Sequence, residues 1–328
     1  MFRAHRRASR CAHGLMAALL AFVAHRHYSR ATNQLQGRIL ECSAHGHCFL
    51  NRCFCNRGFT GSHCERTSSY PPTVCTPKSD ECYVTEEAGI AVVDHQRWVD
   101  QQRYELEFWR RRPDHIEDNA SPAAKRFANY AALPRSLGDV IEVGCGPFTQ
   151  LSTILNKTGS SVSTVTLLDP LLIKYFRTSP NSPYRGADLP EKGTHGFSFQ
   201  GLPTTLIQAP AEYMNKFNQQ FDTLVMLNVL EHVTNAFTIL SNIHNALRPN
   251  GILVFHERIY DRNNATRDWN PGHPVRLKSA VFDHFLSHFH TLYEVRATDE
   301  PIELCAEGHV GLYYIGRKKS YTTTQKCS

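Results

Sequence analysis

The stretch from residue 139 to residue 151 contains the residue types best suited to binding a small molecule. The mostly apolar residues at 140–143 predict a buried strand, and the pattern continues as a helix from about Phe148. Between them, Gly144 and Gly146 let the backbone approach a ligand closely. The free N–H groups at the start of a helix attract a carboxylate or a phosphate. This strand, glycine turn and helix therefore indicate a site for a nucleotide-like ligand.

The residues around the glycines favour one class of nucleotide. A dinucleotide fingerprint has a third glycine three residues after the second, for close packing of the helix, and this chain has Thr149 there. An acid, Glu142, precedes the first glycine by two residues. The sequence Glu142-x-Gly144-x-Gly146 resembles the first motif of class I S-adenosylmethionine-dependent methyltransferases. For this motif taken alone, an ordinary strand-to-helix turn of an α/β domain is the alternative.

Later segments resemble the same family at matching intervals. Asp169 ends an apolar run 25 residues beyond Gly144, where an acid can accept both hydroxyls of an adenosine ribose. Residues 221–233 resemble the family's fourth strand and bring Asn228 to the ligand side. The resemblance covers roughly residues 90–318 and implies S-adenosylmethionine as the cofactor. It assigns cofactor binding to Glu142, Gly144, Gly146, Asp169, Ala211, Glu212 and Asn228.

The expected fold class is α/β, with a Rossmann-like seven-stranded methyltransferase sheet flanked by helices. Residues 94–112 predict an amphipathic helix, and their pattern W-x3-Q-x-Y-E-x2-F-W resembles the cap helix before the core of many small-molecule methyltransferases. Strand-like runs at 291–296 and 310–317 resemble the antiparallel pair that closes the family's sheet. Residues 173–200 lack a clear period, which predicts a long insertion of the kind that often forms a substrate lid.

Three histidines are candidates for the base that takes a proton from a hydroxyl acceptor. His232 follows the predicted fourth strand and His256 ends the fifth, so both are expected at the ligand-bearing edge of the sheet. His273 lies near Trp269 in a segment that suits a substrate loop. For each of the three, a packed or solvated side chain near the site is the alternative.

The remaining reactive residues receive other interpretations. No metal site is expected, because Asn228 stands where related enzymes with a metal-binding E-x2-E-H arrangement have the first glutamate. His284, His288 and His290 lie opposite an aromatic stripe and are expected to face solvent. Cys145 has no histidine or acid placed by sequence to activate it, so its predicted role is structural.

Composition and charge limit the possible functions. The chain has 328 residues, of which 41% are apolar, enough for one substantial domain and a small one. Its net charge of +6 comes from residues 1–30, which carry six arginines and no acid. The rest of the chain is balanced, so the total charge gives no sign of a nucleic-acid-binding surface.

Seven of the eleven cysteines fall within residues 42–82, which indicates an oxidising compartment. Their C-x5-C-x4-C-x-C-x8-C spacing, with a Gly-Phe-x-Gly turn at 58–61, resembles an EGF-like module of the short extracellular-matrix type. The resemblance implies the disulfides Cys42–Cys53 and Cys55–Cys64. Cys48 would then pair with Cys75, Cys82 or another chain. A zinc cluster of cysteines and nearby histidines is the alternative.

The chain is expected to divide into five segments. Residues 1–31 contain an apolar run at 14–24 behind an arginine-rich start, which suits a signal peptide or a marginal signal anchor but is too short to span a bilayer as a helix. An organellar transit peptide is the alternative. The other segments are an EGF-like module at 40–66, a linker at 67–92, a class I methyltransferase domain at 93–318 and a tail at 319–328.

The leading functional hypothesis is a methyltransferase of the secretory pathway, in the Golgi lumen or outside the cell. Glycans are abundant acceptors there, so O-methylation of a glycan or another small hydroxyl compound is expected, and nucleic acid is not. Sequons at Asn119, Asn156 and Asn264 fit this route. The EGF-like module is expected to allow a protein or matrix contact, and the N-terminus a weak membrane contact. The alternatives are an intracellular methyltransferase of a small metabolite and an extracellular interaction protein with a catalytically inactive methyltransferase fold.

Overall fold

A computed structural model of the chain describes residues 42–43, 45–56, 58–67, 83–85, 88–111, 130–147, 149–178, 194–199, 201–217, 220–261, 272–297 and 310–320. The predicted signal at 1–31, the sequons at Asn119 and Asn264, and the residues Cys75, Cys82 and Trp269 lie outside these ranges. None of the helices within them is long and apolar enough to cross a membrane.

The cysteine-rich module consists of two small antiparallel hairpins. They are formed by β1 (Gly46–Phe49) with β2 (Arg52–Cys55), and by β3 (Phe59–Thr60) with β4 (Arg66–Thr67). Among the described residues, the disulfides with both cysteines in place are Cys42–Cys53 and Cys55–Cys64, as the EGF-like resemblance implies. Cys48 is disulfide-bonded as well. Because so few residues cannot bury a core of their own, such a module depends on its crosslinks.

The larger domain alternates strands with helices, as the glycine-turn pattern predicts. Three short 3-10 helices lie at Tyr130–Ala132, Ala211–Lys216 and Leu230–His232. The other elements are, in chain order, β5 (Tyr83–Thr85), β6 (Gly89–Val92), α1 (His95–Arg110), β7 (Ser136–Val143), α2 (Leu151–Thr158), β8 (Ser161–Leu168), α3 (Leu172–Thr178), β9 (Thr194–Phe199), β10 (Leu202–Ile207), β11 (Phe221–Leu227), α4 (Ala236–Ala246), β12 (Leu247–Ile259), β13 (Arg276–Leu277), α5 (Ser279–Leu286), β14 (Phe289–Ala297) and β15 (Val310–Lys318).

The main sheet has eight strands in the order β14-β15-β12-β11-β7-β8-β10-β9. The strands β12, β11, β7, β8 and β10 are parallel to their neighbours in this group, whereas β15 is antiparallel to both β12 and β14. The predicted seven-stranded sheet with its antiparallel closing pair is therefore confirmed. The eighth strand, β9, adds an antiparallel edge to β10 within the stretch that the sequence predicts as an insertion. The carboxyl ends of the parallel strands meet at one edge, the usual place for a ligand in such a sheet.

Part of the predicted linker belongs to the larger domain. β5 and β6 pair with each other, and β13 joins the other side of β6 to make a three-stranded sheet. Ala88, Ile90 and Ala91 are buried in the main core. The prediction of a linker as far as residue 92 is thus wrong for these residues. The apolar run is only four residues long, and its partner β13 lies so far along the chain that no local pattern reveals the pairing.

The segment between β11 and α4 differs from its sequence prediction. Glu231 and His232 were expected to open the following helix, but they lie in the short 3-10 helix Leu230–His232. α4 begins only at Ala236, because the Asn235 side chain accepts a hydrogen bond from Thr238 N at 3.0 Å and caps it there. The eight residues 228–235, which include Glu231 and His232, therefore separate the strand from the helix.

The cysteine-rich module packs directly on the larger domain. Phe49 and Phe54 are fully buried in the same core cluster as Phe237 of α4 and Phe285 of α5. The ring centroids of Phe54 and Phe237 are 5.3 Å apart, and those of Phe49 and Phe285 are 6.4 Å apart. We call these four rings the module interface. Two units that sequence analysis separates by a linker thus share one hydrophobic core.

A histidine secures the same contact. His284 Nε2 lies 3.1 Å from Phe49 O and 3.0 Å from Leu50 O, which a neutral ring satisfies by donating from Nε2. Burial lowers the pKa of His284, and burial also lowers that of His288 to about 4. The prediction that these two histidines face solvent is therefore wrong, because the module covers one of them, whereas His290 is exposed as predicted.

Candidate active site

A cavity opens at the carboxyl ends of β7, β8 and β11, and α1 forms its opposite wall. It has an empty volume of about 790 Å³, counting the space that is open to solvent. Its lining combines the glycine turn, the ends of the strands and the aromatic face of α1. The described residues therefore place the predicted nucleotide site and the predicted cap helix on one cavity, and clefts of this kind are the usual sites for small molecules.

The glycine turn has the backbone geometry that the motif predicts. Gly144 and Gly146 have φ angles of 70° and 62°, which side chains with a Cβ atom disfavour. A Cβ atom on Gly144 would lie 2.4 Å from Val229 Cγ2, so even an alanine at this position would clash with the residues that follow β11. A Cβ atom on Gly146 would meet nothing within 4 Å. Gly146 therefore borders open space, where its missing side chain leaves the backbone accessible to a ligand.

Glu142 stabilises this glycine turn through its side-chain carboxylate. Its side chain is buried and accepts hydrogen bonds from Gln150 N at 2.8 Å and from the Thr149 hydroxyl. Both donors belong to the start of α2, so the carboxylate holds the turn against the end of β7. Glu142 does not line the cavity. The structure therefore gives this predicted cofactor residue a positioning role at the turn.

Asp169 lies in the cavity wall at the end of β8. Its two carboxylate oxygens accept hydrogen bonds from Gly146 N at 3.0 Å and Leu171 N at 2.7 Å. Burial raises the pKa of Asp169 to about 6, against the opposing effect of these two hydrogen bonds, and the nearby charge of Glu105 raises it further. Each oxygen keeps a second lone pair, so the carboxylate can still accept hydrogen bonds from two hydroxyl groups.

Ala211 and Glu212 also line the cavity, but the glutamate carboxylate is already engaged. Glu212 Oε1 accepts hydrogen bonds from Thr234 N at 2.8 Å and Asn235 N at 3.2 Å. It therefore fixes the irregular segment before α4. Cofactor binding by Glu212 stays a prediction, since these bonds involve Oε1 alone and the residue also lines the cavity.

Asn228 presents an unsatisfied atom to the cavity. It has a φ angle of 59°, and its backbone N–H donates to His256 O at 2.7 Å. Its Oδ1 atom is buried and has no hydrogen-bond partner among the described residues, and the same is true of Gln150 Oε1. A buried acceptor without a donor costs about 1–3 kcal/mol. Two such atoms in one cavity wall are what a polar ligand would satisfy.

The three candidate histidines lie in different surroundings. His232 lines the cavity beside α1. His273 lies behind it, with ring centroids 5.3 Å apart. His256 lies outside the cavity lining and stacks on Tyr313, with ring centroids 4.2 Å apart. Of the three, the structure brings His232 into the candidate active site.

Sequence analysis missed two polar residues of α1 that contact His232. Gln101 is fully buried, and its Nε2 atom lies 2.6 Å from His232 Nδ1. Glu105 Oε1 lies 3.4 Å from the same nitrogen. Both are on the helix that was predicted from residue 94, and Glu105 is part of its quoted pattern. Only the packing of α1 on the sheet reveals which face of the helix carries chemistry.

A charged cluster supports the cavity wall behind His232. Glu231 Oε2 lies 2.9 Å from Arg258 Nη1, and its Oε1 accepts a hydrogen bond from the Tyr260 hydroxyl. Burial alone would raise the pKa of Glu231, but the charge of Arg258, followed by those of His273 and His232, lowers it to about 2. The carboxylate is therefore ionised at any physiological pH.

The same cluster contains three residues of metal-ligand type. Glu231, His232 and His273 each offer one atom, and these atoms lie within 4.8 Å of one another. Arg258 Nη1, however, lies between them, 2.9 Å from Glu231 Oε2 and 3.4 Å from His273 Nε2. A divalent cation would have to displace this guanidinium. The arginine already supplies the positive charge that balances Glu231.

Cys145 belongs to the lining of the cavity. Its thiol is buried and free of a disulfide. Burial raises the pKa of this thiol well above its usual value, and the charges of Asp169 and Glu142 raise it further. Because the thiolate is the reactive form, these surroundings agree with the structural role predicted for Cys145.

Comparisons with known proteins agree with the two resemblances. A family described as Methyltransferase domain matches residues 108–290. A Teneurin-like EGF domain matches residues 40–67. Curated proteins give no match to the chain.

Solved structures similar to this chain include three with low sequence identity. The N-methyltransferase NodS from Bradyrhizobium japonicum WM9, in complex with S-adenosyl-L-homocysteine, is 16% identical, with 68% of this chain and 99% of that chain covered and a TM-score of 0.44. The [4+2]-cyclase SpnF is 15% identical, with 72% and 100% covered and a TM-score of 0.49. The 1,6-didemethyltoxoflavin-N1-methyltransferase of Burkholderia thailandensis is 14% identical, with 74% and 98% covered and a TM-score of 0.41.

Proposed function

The chain belongs to the methyltransferase-domain family, and we propose that it transfers a methyl group from S-adenosylmethionine to a hydroxyl group of a glycan or a similar small acceptor in the secretory pathway. The observation that carries this proposal is a single cavity lined both by the glycine turn and by His232, Trp98 and Trp109. The side of the cavity at the glycine turn suits the cofactor, and we call it the cofactor half. The side at His232 and the two tryptophans suits an acceptor that must lose a proton, and we call it the acceptor half.

The residues present fit S-adenosylmethionine as the cofactor. Asp169 can accept hydrogen bonds from the two ribose hydroxyls, and the open backbone at Gly146 can approach the ligand. Asn228 Oδ1, buried and without a partner in the described part of the chain, can accept from a polar group of the ligand. When bound, the cofactor supplies an electrophilic methyl group on a positively charged sulfur. The acids Asp169 and Glu105 give the cavity the negative charge that suits such a ligand.

The acceptor half of the cavity favours a hydroxyl compound with flat apolar faces. Trp98 and Trp109 line it, and their N–H groups are engaged with His232 O at 3.1 Å and Glu105 Oε2 at 3.1 Å. Trp98 also contacts the ring of His95, and Trp109 that of Phe108. Aromatic rings in a cavity lining suit the apolar face of a sugar ring. A hydroxyl nucleophile must release its proton as the bond to the methyl carbon forms, and a histidine is the side chain that most often takes it. His232 lines the cavity and is the residue that we propose for that role.

The secretory route is supported by chemistry outside the cavity. Two disulfides are formed in the module, and disulfides are rare in the cytosol. Asn156, the first residue of a sequon, is exposed on α2, so a glycan there would extend into solvent. Disulfide-bonded cysteines and an exposed sequon favour an enzyme of the secretory pathway over an intracellular enzyme.

The decisive experiment is methyl transfer from labelled S-adenosylmethionine to a panel of acceptors, using the chain produced by a secreting cell. The panel contains oligosaccharides, simple phenols, amines and carboxylic acids. We expect label on a sugar hydroxyl, located by mass spectrometry of the released monosaccharides. Label on amines or carboxylic acids alone would contradict the proposal, because those acceptors do not need the base that the cavity provides.

Binding of S-adenosylmethionine is expected to weaken as the pH falls below about 6, because burial raises the pKa of Asp169 to about that value. The carboxyl group is ionised above this pH and neutral below it. When it gains a proton, it has fewer lone pairs with which to accept hydrogen bonds from the ribose hydroxyls. If only the ionised form binds, affinity falls about tenfold per pH unit. Isothermal titration calorimetry at pH 7.5, 6 and 5 measures this dependence.

The Asp169→Asn variant tests the assignment of this pH dependence. It should bind about 10–100-fold more weakly at pH 7.5, since hydrogen bonds to a charged group contribute about 1.5–3 kcal/mol, and its affinity should change little with pH. Asp100→Asn, on the half-exposed side of α1, serves as the matched control. If Asp169→Asn kept the wild-type pH dependence, Asp169 would not be the titrating group.

A further inference from the structure

Three histidines form a row that starts at the module interface. His284 contacts Phe49 and Phe54 of the module, with ring centroids 5.5 and 5.9 Å away. The ring of His288 lies 5.3 Å from that of His284, and the ring of His244 lies 5.4 Å from that of His288. We call these three side chains the histidine row. It connects the cysteine-rich module with the ends of α5 and α4.

The ring nitrogens of the row are shielded from water. Both ring nitrogens of His244 and the Nε2 atom of His288 are buried. Burial lowers the pKa of each of these two rings to about 4, and it lowers the pKa of His284 against the opposing effect of two backbone hydrogen bonds. Burial also lowers the pKa of His47 on β1, whose ring lies 5.7 Å from that of Phe237. All of these rings are therefore neutral at pH 7, whereas a histidine in water titrates near pH 6.5.

The charges that act on the row are positive. Apart from the rings themselves, they are Arg52 from the module, Lys318 from β15 and Lys319 just beyond that strand, and each lowers the pKa of one ring further. The Nζ atoms of the two lysines donate to the backbone oxygens of Leu247 and Ser287, each at 2.7 Å. These hydrogen bonds hold both ammonium groups beside the row.

No acid in the described part of the chain is among the groups that act on the row. Asp283 precedes His284 on α5, but its side chain is exposed and accepts a hydrogen bond from Arg296 Nη2 at 2.6 Å. A hydrogen bond with Asn245 favours the charged form of His244 only slightly, since burial outweighs it. A proton gained by the row would therefore be a buried charge beside other positive charges, which is costly.

We propose that the histidine row makes the module interface sensitive to acid: the interface stays closed while the three rings are neutral, and it opens ahead of the main sheet when they gain protons. In the closed state, an added proton has neither water nor a carboxylate to stabilise it. In the open state, water solvates the charge, and each ring binds a proton at its ordinary pKa. The proposal does not depend on the function proposed above.

The pH range follows from the direction of the shifts. Because the closed state has the lower histidine pKa values, it is fully favoured above about pH 6.5 and loses its advantage as the pH falls towards 4. An opening that exposes His244 and His288 takes up as many as two protons, which raises its equilibrium constant by up to about 100-fold per pH unit near pH 5.5. Both side chains are only partly buried, so we expect a smaller rise, of at least about tenfold between pH 7 and pH 5.

Hydrogen-exchange mass spectrometry of the full chain at pH 7 and pH 5 tests the proposal without cofactor or acceptor. Protection factors, which correct for the slower intrinsic exchange at low pH, are compared for β2 and α5 at the interface and for β7 and β8 in the main sheet. Protection of β2 and α5 should fall at least about tenfold at pH 5, while that of β7 and β8 stays within about threefold. Equal losses in all four elements, or no loss at the interface, would overturn the proposal.

The double variant His244→Gln/His288→Gln assigns the effect to the row. Glutamine cannot gain a proton, so the loss of protection between pH 7 and pH 5 should shrink to within about threefold. Each protein is compared with itself at two pH values, so a constant loss of stability in the variant cancels. The single variant His288→Gln should show an intermediate change, which keeps the test valid if the double variant does not fold.

His290→Gln is the matched control, because His290 is exposed and lies two residues beyond His288. It should keep the wild-type loss of protection at pH 5. If the single and double variants of the row also kept it, other groups would carry the pH dependence and the proposal would be overturned.

Discussion

Replacement of Phe54 by alanine is expected to destabilise the larger domain by about 3–5 kcal/mol, the usual cost of removing a buried phenylalanine, although Phe54 belongs to the cysteine-rich module. Phe54 is fully buried, with its ring 5.3 Å from that of Phe237 and 5.9 Å from that of His284. Its removal leaves a cavity in a core that both units share. Denaturant unfolding followed by tryptophan fluorescence measures the effect, because all three tryptophans lie outside the module.

Phe59→Ala is the matched control for this variant. Phe59 is in the same module, but its ring stacks on His45, 3.7 Å away, and does not belong to the shared core. Its loss should disturb the module and leave the tryptophan-detected transition within about 1 kcal/mol of wild type. If the two variants had equal effects on that transition, the module would be an independent unit attached by a linker.

The module interface also lies close to the active site along the chain. Phe237 is in the first turn of α4. The residues just before this helix, Thr234 and Asn235, are held by the carboxylate of Glu212. The segment that carries His232 precedes them directly. The module is therefore best regarded as a support for the catalytic domain, whatever other contacts it makes.

The cofactor half of the site was predictable because its signals are local. Gly144, Gly146 and Asp169 lie at the ends of two adjacent strands, and their spacing along the chain fixes their arrangement once the strands pair. The left-handed backbone at both glycines is a property of the turn itself. Asn228 was predictable for the same reason, since it directly follows β11.

The acceptor half could not be derived in this way. Gln101 and His232 are 131 residues apart in sequence, and no periodicity shows which helix face meets which turn. His232 lies beyond the end of β11 and His256 lies within β12, yet of these two only His232 reaches the cavity, because His256 extends from β12 onto Tyr313. The hydrogen bonds between Glu212 and the segment before α4 likewise depend on tertiary packing, so the sequence pattern could not predict them.

The module's position is a further case where local patterns gave no information. Phe49 and Phe54 lie on the two strands joined by a turn at Leu50 and Asn51, which have φ angles of 42° and 67°. In a free module these rings would be exposed apolar groups. Their burial depends on rings in α4 and α5. The sequence predicts that His284 faces solvent because no local pattern shows that the module covers it.

The His232→Gln variant is expected to reduce kcat for a hydroxyl acceptor by about 10²–10⁴, the usual contribution of a general base. Glutamine fills nearly the same space and can hydrogen-bond to Gln101, but it cannot take a proton at neutral pH. The dissociation constant for S-adenosylmethionine should stay within about twofold of wild type, because Asp169 and the glycine turn are unchanged. Methyl transfer to the sugar acceptor found in the panel, together with calorimetry, measures both quantities.

The His256→Gln variant is the control for His232→Gln. It distinguishes the loss of a base from the loss of any histidine near the site. His256 stacks on Tyr313 outside the cavity lining, so its replacement should leave kcat within about threefold of wild type, the range of a packing effect. Equal losses in the two variants would point to a general loss of structure. If His232→Gln methylated the sugar acceptor at the wild-type rate, His232 would not be the base. The comparison of these two histidines therefore tests whether the residue that lines the cavity, and not any nearby histidine, takes the proton of the acceptor.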